Sequence, residues 1–263
     1  ESGEKVLNGL NFGLCCMRHA AALLLLIIVT NPASAIEIQR VKSPGGIEAW
    51  LVRDTSVPIL SIEFSFRGGR TCDPADKAGL SSLLSGMLDE GAGGIDSKSF
   101  QAELQNKSIR MSFVAGRDTF RGSLKTLNTH RDRAVELLSL ALSQPHFDAE
   151  PLERMRQQSL VSLNRRATNP NYIAGRTWAT AVFGSHPYAL PSNGTEKSLK
   201  AITRHDLIDA VKSRFARNLL VIGVSGDITS AELEPLLDQA FGALPARKDL
   251  PSIPEVEPDF RGD

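Results

Sequence analysis

Neither sign of charge prevails in this chain: 30 Lys and Arg offset 30 Asp and Glu among 263 residues. That balance removes the electrostatic reason to expect a nucleic acid or an anionic membrane surface as partner. Cysteine is scarce, with three in all, two of them adjacent at Cys15 and Cys16. No run of apolar residues reaches the length of about 20 that a membrane-spanning helix needs, since the longest, Ala20 to Val29, is interrupted by Thr30. Of the five histidines, His130, His146, His186 and His205 stand far apart in the sequence and none has ligand-like spacing with another. Gly-Lys-Ser/Thr is missing after the glycine-rich Ala92 to Asp96, so a phosphate-cradling loop is not indicated.

What is present is ordinary globular composition, 41% hydrophobic and 23% charged, in a chain long enough to bury a large core. The first 35 residues are set aside from the fold. Met17-Arg18-His19, the apolar Ala20 to Val29 and the ending Ala33-Ser34-Ala35 are the three parts of a secretory signal peptide. Residues 1–16 precede Met17 and read as an over-extended gene start, so the expected leader is 17–35 and the expected mature start Ile36. One thiol, Cys72, then remains, which excludes an internal disulfide and leaves stability to the core. Export with no stable membrane insertion is the expectation.

The mature region reads as an α+β domain. Ile36 to Lys42 and Ile47 to Arg53 flank the turn-forming Ser43-Pro44-Gly45-Gly46, and Leu60, Ile62, Phe64 and Phe66 alternate with polar residues as a half-buried strand. Ile109 to Phe113 and Phe120 to Leu124 form a hairpin pattern across Ala115 to Asp118. Helices are expected over Ala78 to Gly91, from Asp96 or Ser97 to Asn106, over His130 to Ser143, Asp148 to Ala167 and Asn171 to Phe183, and from Thr203 to Arg217. A strand from Asn218 to Asp227 and a helix from Thr229 or Ser230 to Phe241 follow. On the long helix, Leu152, Met155, Leu160 and Leu163 are assigned to the core, and Arg154, Arg156, Arg165 and Arg166 to a solvated outer face. The pattern predicts a mainly antiparallel sheet with helices packed on it.

The most informative stretch is Phe66 to Gly91, in which a strand and a turn lead into Ala78-Gly79-Leu80-Ser81-Ser82-Leu83-Leu84-Ser85-Gly86-Met87-Leu88. It resembles the signature segment of the insulinase/pitrilysin-type metallopeptidases, the inverzincins, whose helix reads Gly-Leu-x-His-x-x-Glu-His-Met-Leu. Aligning Gly79-Leu80 and Met87-Leu88 puts Ser82, Ser85 and Gly86 at the positions of the first histidine, the glutamate and the second histidine. The third zinc ligand of that family, a glutamate on the later long helix, falls near Val161 to Leu163, which hold no carboxylate. Two imidazoles one helical turn apart can grip one zinc ion while a carboxylate activates its water, and serine and glycine replace neither function. The degenerate positions are therefore expected to be packed structure, with no catalytic, cofactor or metal residue in this chain. A serine nucleophile at Ser82 or Ser85 is the sharper alternative, but no Gly-x-Ser-x-Gly elbow or recognisable base accompanies either.

Further landmarks keep the same order: Asn169-Pro170, His186-Pro187-Tyr188, Pro191 to Gly194, Ile202 to Leu207, and Asn218 to Asp227. The resemblance implies one insulinase/mitochondrial-processing-peptidase-like domain over 36–245, and 246–263, punctuated by Pro251, Pro254 and Pro258, as a linker toward a second domain. It also implies a periplasmic, non-catalytic subunit that pairs with a catalytic subunit carrying His-x-x-Glu-His and zinc, and that forms half of a peptide-binding chamber. The alternatives are a structural or assembly protein on the same fold and a hydrolase with other active-site residues. His186 could be read as a ligand, but a histidine beside proline in a loop is read as structural, and Cys72 as a bystander thiol.

Overall fold

In the computed structural model the described residues are 37–256. The leader, the gene-start extension with Cys15 and Cys16, and residues 257–263 of the linker lie outside them. Six strands form one sheet: β1 (Ile38–Lys42), β2 (Glu48–Arg53), β3 (Ile59–Arg67), β4 (Arg110–Ala115), β5 (Thr119–Leu127) and β6 (Leu220–Gly226). Their order is β1-β2-β6-β3-β5-β4. Every pairing is antiparallel except β2 with β6. The last strand thus inserts between β2 and β3, with Trp50 opposite Gly223 on one side and Phe64 opposite Ile222 on the other.

Alternation decides which face is covered. In β3, Leu60, Ile62, Phe64 and Phe66 are buried, while Glu63 and Arg67 are exposed. The inward residues of β2, β5 and β6 continue that face with Leu51, Leu124 and Val224. Phe64 lies opposite Gly122 across the β3–β5 pair, and a Cβ on Gly122 would meet the Phe64 ring at 2.2 Å. The missing side chain is the space the ring occupies. Phe64 also meets the rings of Phe66, Phe113 and Phe241 edge-on, and Phe66 stacks on Phe215 with centroids 4.8 Å apart. The opposite face carries Trp50, Val114 and Val221, each more than half exposed.

Eight α-helices occur among the described residues: α1 (Leu80–Ser85), α2 (Ser97–Asn106), α3 (Arg131–Ser143), α4 (Ala149–Ala167), α5 (Pro170–Phe183), α6 (Glu196–Ala201), α7 (Arg204–Arg214) and α8 (Ser230–Phe241). None is long and apolar enough to cross a membrane. Helices α3 and α8 pack on each other, α3 against β5 and α8 against β1. The α+β reading with a mainly antiparallel sheet holds.

Two differences from the sequence reading have local causes. The helix expected to run to Gly91 is α-helical only through Ser85. At Gly86, a poor helix former, the backbone tightens to bonds from Gly86 N–H to Leu83 and from Met87 N–H to Leu84, and Gly91 then turns with φ +99°. The stripe Leu80, Leu83, Leu84, Met87 and Leu88 is nevertheless wholly buried. Helix α6 has no counterpart in the sequence reading. It is one turn and a half long, started by a capping box between Thr195 and Ser198.

Candidate functional site

The turn after β3 is held by one buried polar cluster. Gly68 turns with φ +95°, and two short 3-10 turns, Arg70–Cys72 and Ala75–Lys77, lead to α1. Asp73 accepts from the Ser81 amide at 3.1 Å and from its hydroxyl at 2.6 Å. Arg214, at the end of α7, donates to Asp73 Oδ1 at 2.8 Å and to the Cys72 carbonyl at 2.9 Å, and also to the Ser81 hydroxyl. The side chains of Arg214 and Asp73 are 6% and 2% exposed, so this charge pair is removed from water and satisfied internally. It fixes where α1 begins relative to the sheet.

On α1 itself, each hydroxyl at a degenerate position is engaged with backbone. Ser82 donates to the Ser192 carbonyl at 2.7 Å, and Ser85 donates to the Ser82 carbonyl at 2.8 Å. Among the described residues, no histidine or lysine hydrogen-bonds to either hydroxyl, so none of them activates it as a base. Gly86 faces α4, where a Cβ would come within 2.5 Å of the Met155 methyl carbon. Of the α4 positions matching the third ligand, Val161 is exposed and Leu163 packs against the core. Zinc requires thiolate, imidazole or carboxylate donors, and this cleft offers two donating hydroxyls, a thioether side chain and aliphatic groups. The residues present do not fit a zinc ion. Among the described residues, no three His, Cys, Asp or Glu side chains gather into a set that could hold a metal.

The remaining candidates fall into structural roles. His186 accepts from the Tyr188 amide through Nδ1 at 3.1 Å and contacts the Pro254 carbonyl through Nε2 at 3.0 Å. Its ring shapes the loop before α6 and ties residue 254 to it. His146 contacts the Gly93 carbonyl, and His205 lies beside Asp209. Cys72 is half-buried, and burial pushes its thiol up, more than the Arg214 charge pulls it down. A thiol held protonated is a poor nucleophile. The arginine face of α4 is not uniformly solvated. Arg156 turns inward to donate to the carbonyls of Leu199 and Ile202, capping the end of α6, and Arg154 pairs with the buried Glu90 at 2.7 Å. Arg165 and Arg166 are exposed as expected. A helical pattern separates inner from outer faces but does not show where a neighbouring helix ends.

Known proteins resemble this chain in sequence and fold. A family model described as "Peptidase M16 inactive domain" matches residues 201–262. The "Non-peptidase homolog YmxG" of Helicobacter pylori is 28% identical over 192 residues, which are 73% of this chain and 44% of that protein. A "Probable mitochondrial-processing peptidase subunit beta" of Schizosaccharomyces pombe is 20% identical over 176 residues, 67% of this chain and 38% of that one. The crystal structure of a peptidase M16 inactive domain from Pseudomonas fluorescens superposes with a TM-score of 0.78 at 25% identity, over 84% of this chain and 54% of that one. The chain therefore spans about half the length of these relatives or less. The resemblance to the insulinase/pitrilysin-type family is borne out, as a homologue without the peptidase residues.

Proposed function

We propose that the chain contributes to a non-catalytic subunit of a periplasmic, zinc-dependent, insulinase-like heterodimeric peptidase, forming half of the chamber that holds the peptide. The zinc and the His-x-x-Glu-His helix belong to the catalytic partner. The observation that carries this reading is the filled cleft: Met155 against Gly86, with Ser82 and Ser85 bonded to carbonyls, on a frame that otherwise matches the family. The fold is kept and the zinc-binding residues are replaced, which is what a wall-forming subunit requires.

Strand β4 supports the peptide part. It is an edge of the sheet, and its outward Ser112 and Val114 are exposed, so its free backbone groups can accept an extended peptide as a further strand. The leader pattern at 17–35 and the single cysteine of the region after it support export. In this reading 246–263 leads on to a second domain.

Two measurements test it together. Elemental mass spectrometry of the purified chain should find less than about a tenth of an equivalent of zinc, because real zinc sites bind tightly enough to survive purification. An exported homologue from the same genome with an intact His-x-x-Glu-His should co-elute with it and cleave an internally quenched peptide faster than alone. Near-stoichiometric zinc, or cleavage by this chain alone, would overturn the proposal. Co-elution without any gain in cleavage would favour the assembly-protein reading.

A further inference from the structure

A cavity of about 300 Å³ opens between the turn after β3, the β4–β5 turn and helix α5, and three arginines line it: Arg70, Arg117 and Arg176. Arg70 spends one N–H on the Ala115 carbonyl, and Arg176 spends one on the Ala189 carbonyl. Arg117 lies over the Tyr188 ring, 4.7 Å from its centroid. A guanidinium carries five donors, so each retains several for a ligand. Among the described residues, none of the three has a carboxylate in ion-pair distance.

The nearby acids are hydrogen-bonded to other groups, although their charges reach Arg70. Asp73, which also lines the cavity, is bound by Arg214 and Ser81. Asp118 accepts from the Tyr188 hydroxyl at 3.2 Å and is not part of the wall. Burial first, and then the neighbouring Arg117 charge, push the Arg70 guanidinium below its ordinary value, by more than the charges of Asp73 and Asp118 pull it up. A half-buried guanidinium with a second cation beside it lowers its energy by gaining an anion. The rest of the wall mixes polar Thr71, Asn171 and Ser192 with Tyr172, Tyr188 and apolar residues, and the volume is at the small end of ligand sites.

We infer that this cavity is a binding site for a peptide's carboxylate, gripped by the forks of Arg70, Arg117 and Arg176, with the adjoining side chain against Tyr172 and Tyr188. The inference deepens the peptide-binding reading above, on which it rests, by naming the group recognised. Guanidinium forks match a planar carboxylate with two parallel bonds, and three of them around one small cavity select for it over a neutral end.

The test is isothermal titration of the full chain with acetyl-Ala-Ala-Phe bearing a free carboxylate and with its C-terminal amide. The free acid should bind at least about tenfold more tightly, the size of one charge-assisted interaction. Arg117→Gln, at an exposed position that a folded chain tolerates, should remove most of that difference. Arg117→Lys should restore part of it, and Arg165→Gln on α4 should leave it unchanged. Inorganic phosphate competing as well as the peptide would show an anion hole without peptide recognition and would overturn the inference. So would equal binding of acid and amide, or an Arg117→Gln chain that binds as the parent does. Equal binding leaves peptide capture standing and removes only the carboxylate site. Partner assembly is read separately by co-elution.

Discussion

Arg214, Asp73 and Ser81 carry more of the local structure than the two serines that the motif singles out. Ser82 and Ser85 stand where chemistry would be, yet each merely satisfies a carbonyl, whereas Ser81 is fully buried and bonded to both charges. Removing one partner of a buried pair strands the other, so Arg214→Ala should lower the unfolding free energy by about 3–5 kcal/mol, read from urea denaturation. Substituting Arg165, which is exposed, should change it by less than about 0.5 kcal/mol.

A second residue-level prediction concerns pH. The Glu232 carboxyl is held down at about 2, first by the Thr229 amide, then by the Thr229 hydroxyl and Arg131. A carboxyl whose folded value lies below the ordinary one of about 4.3 stabilises the fold fully above that ordinary value. The contribution disappears as pH falls toward the folded value. Thermal midpoints measured from pH 5 to 2 should therefore fall less steeply in Glu232→Gln than in the parent chain.

At the scale of elements, helix starts are secured by short-range chemistry. Thr195, Thr203 and Thr229 each form a reciprocal capping box with the third residue onward. Thr229→Ala should cost about 1 kcal/mol and lower the thermal midpoint accordingly. The sheet depends on a longer-range fit. Gly122→Ala should cost about 1–3 kcal/mol, because the Phe64 ring is enclosed by other phenylalanines and cannot withdraw.

Helix α5 is built differently. It has no fully buried residue, Ile173 and Trp178 are exposed, and it is held by its Asn169 cap and by its last residue, Phe183, against the rings of His186 and Tyr188. Its amides should exchange with solvent well before those of β3 in native-state hydrogen exchange, since few apolar contacts oppose its opening. Because α5 forms one wall of the arginine cavity, occupation of that cavity should slow the same amides.

At the scale of the whole molecule, the sheet of the described residues has β4 and β1 as edges, and its face opposite the core carries the exposed Trp50, Val114 and Val221. Such surface is a liability in an isolated domain and a resource in an assembly. The chain covers 44% of the length of its Helicobacter pylori relative.

The sequence by itself determined the inward face of β3, the order of the six strands, the cap at Thr203, and the absence of His, Cys, Asp and Glu at Ser82, Ser85 and Gly86. These are properties of neighbours along the chain, where a period of two or 3.6 residues or a cap three residues away is visible in the letters. Tertiary structure alone decided that β6 enters between β2 and β3, that Met155 lies against Gly86, that Arg156 turns inward and that Arg214 reaches Asp73. It also gathered Arg70, Arg117 and Arg176 around one cavity from three separate segments. Residues so far apart are brought together only by the packing of whole elements, because each local pattern states which face a helix or strand buries and not against which partner.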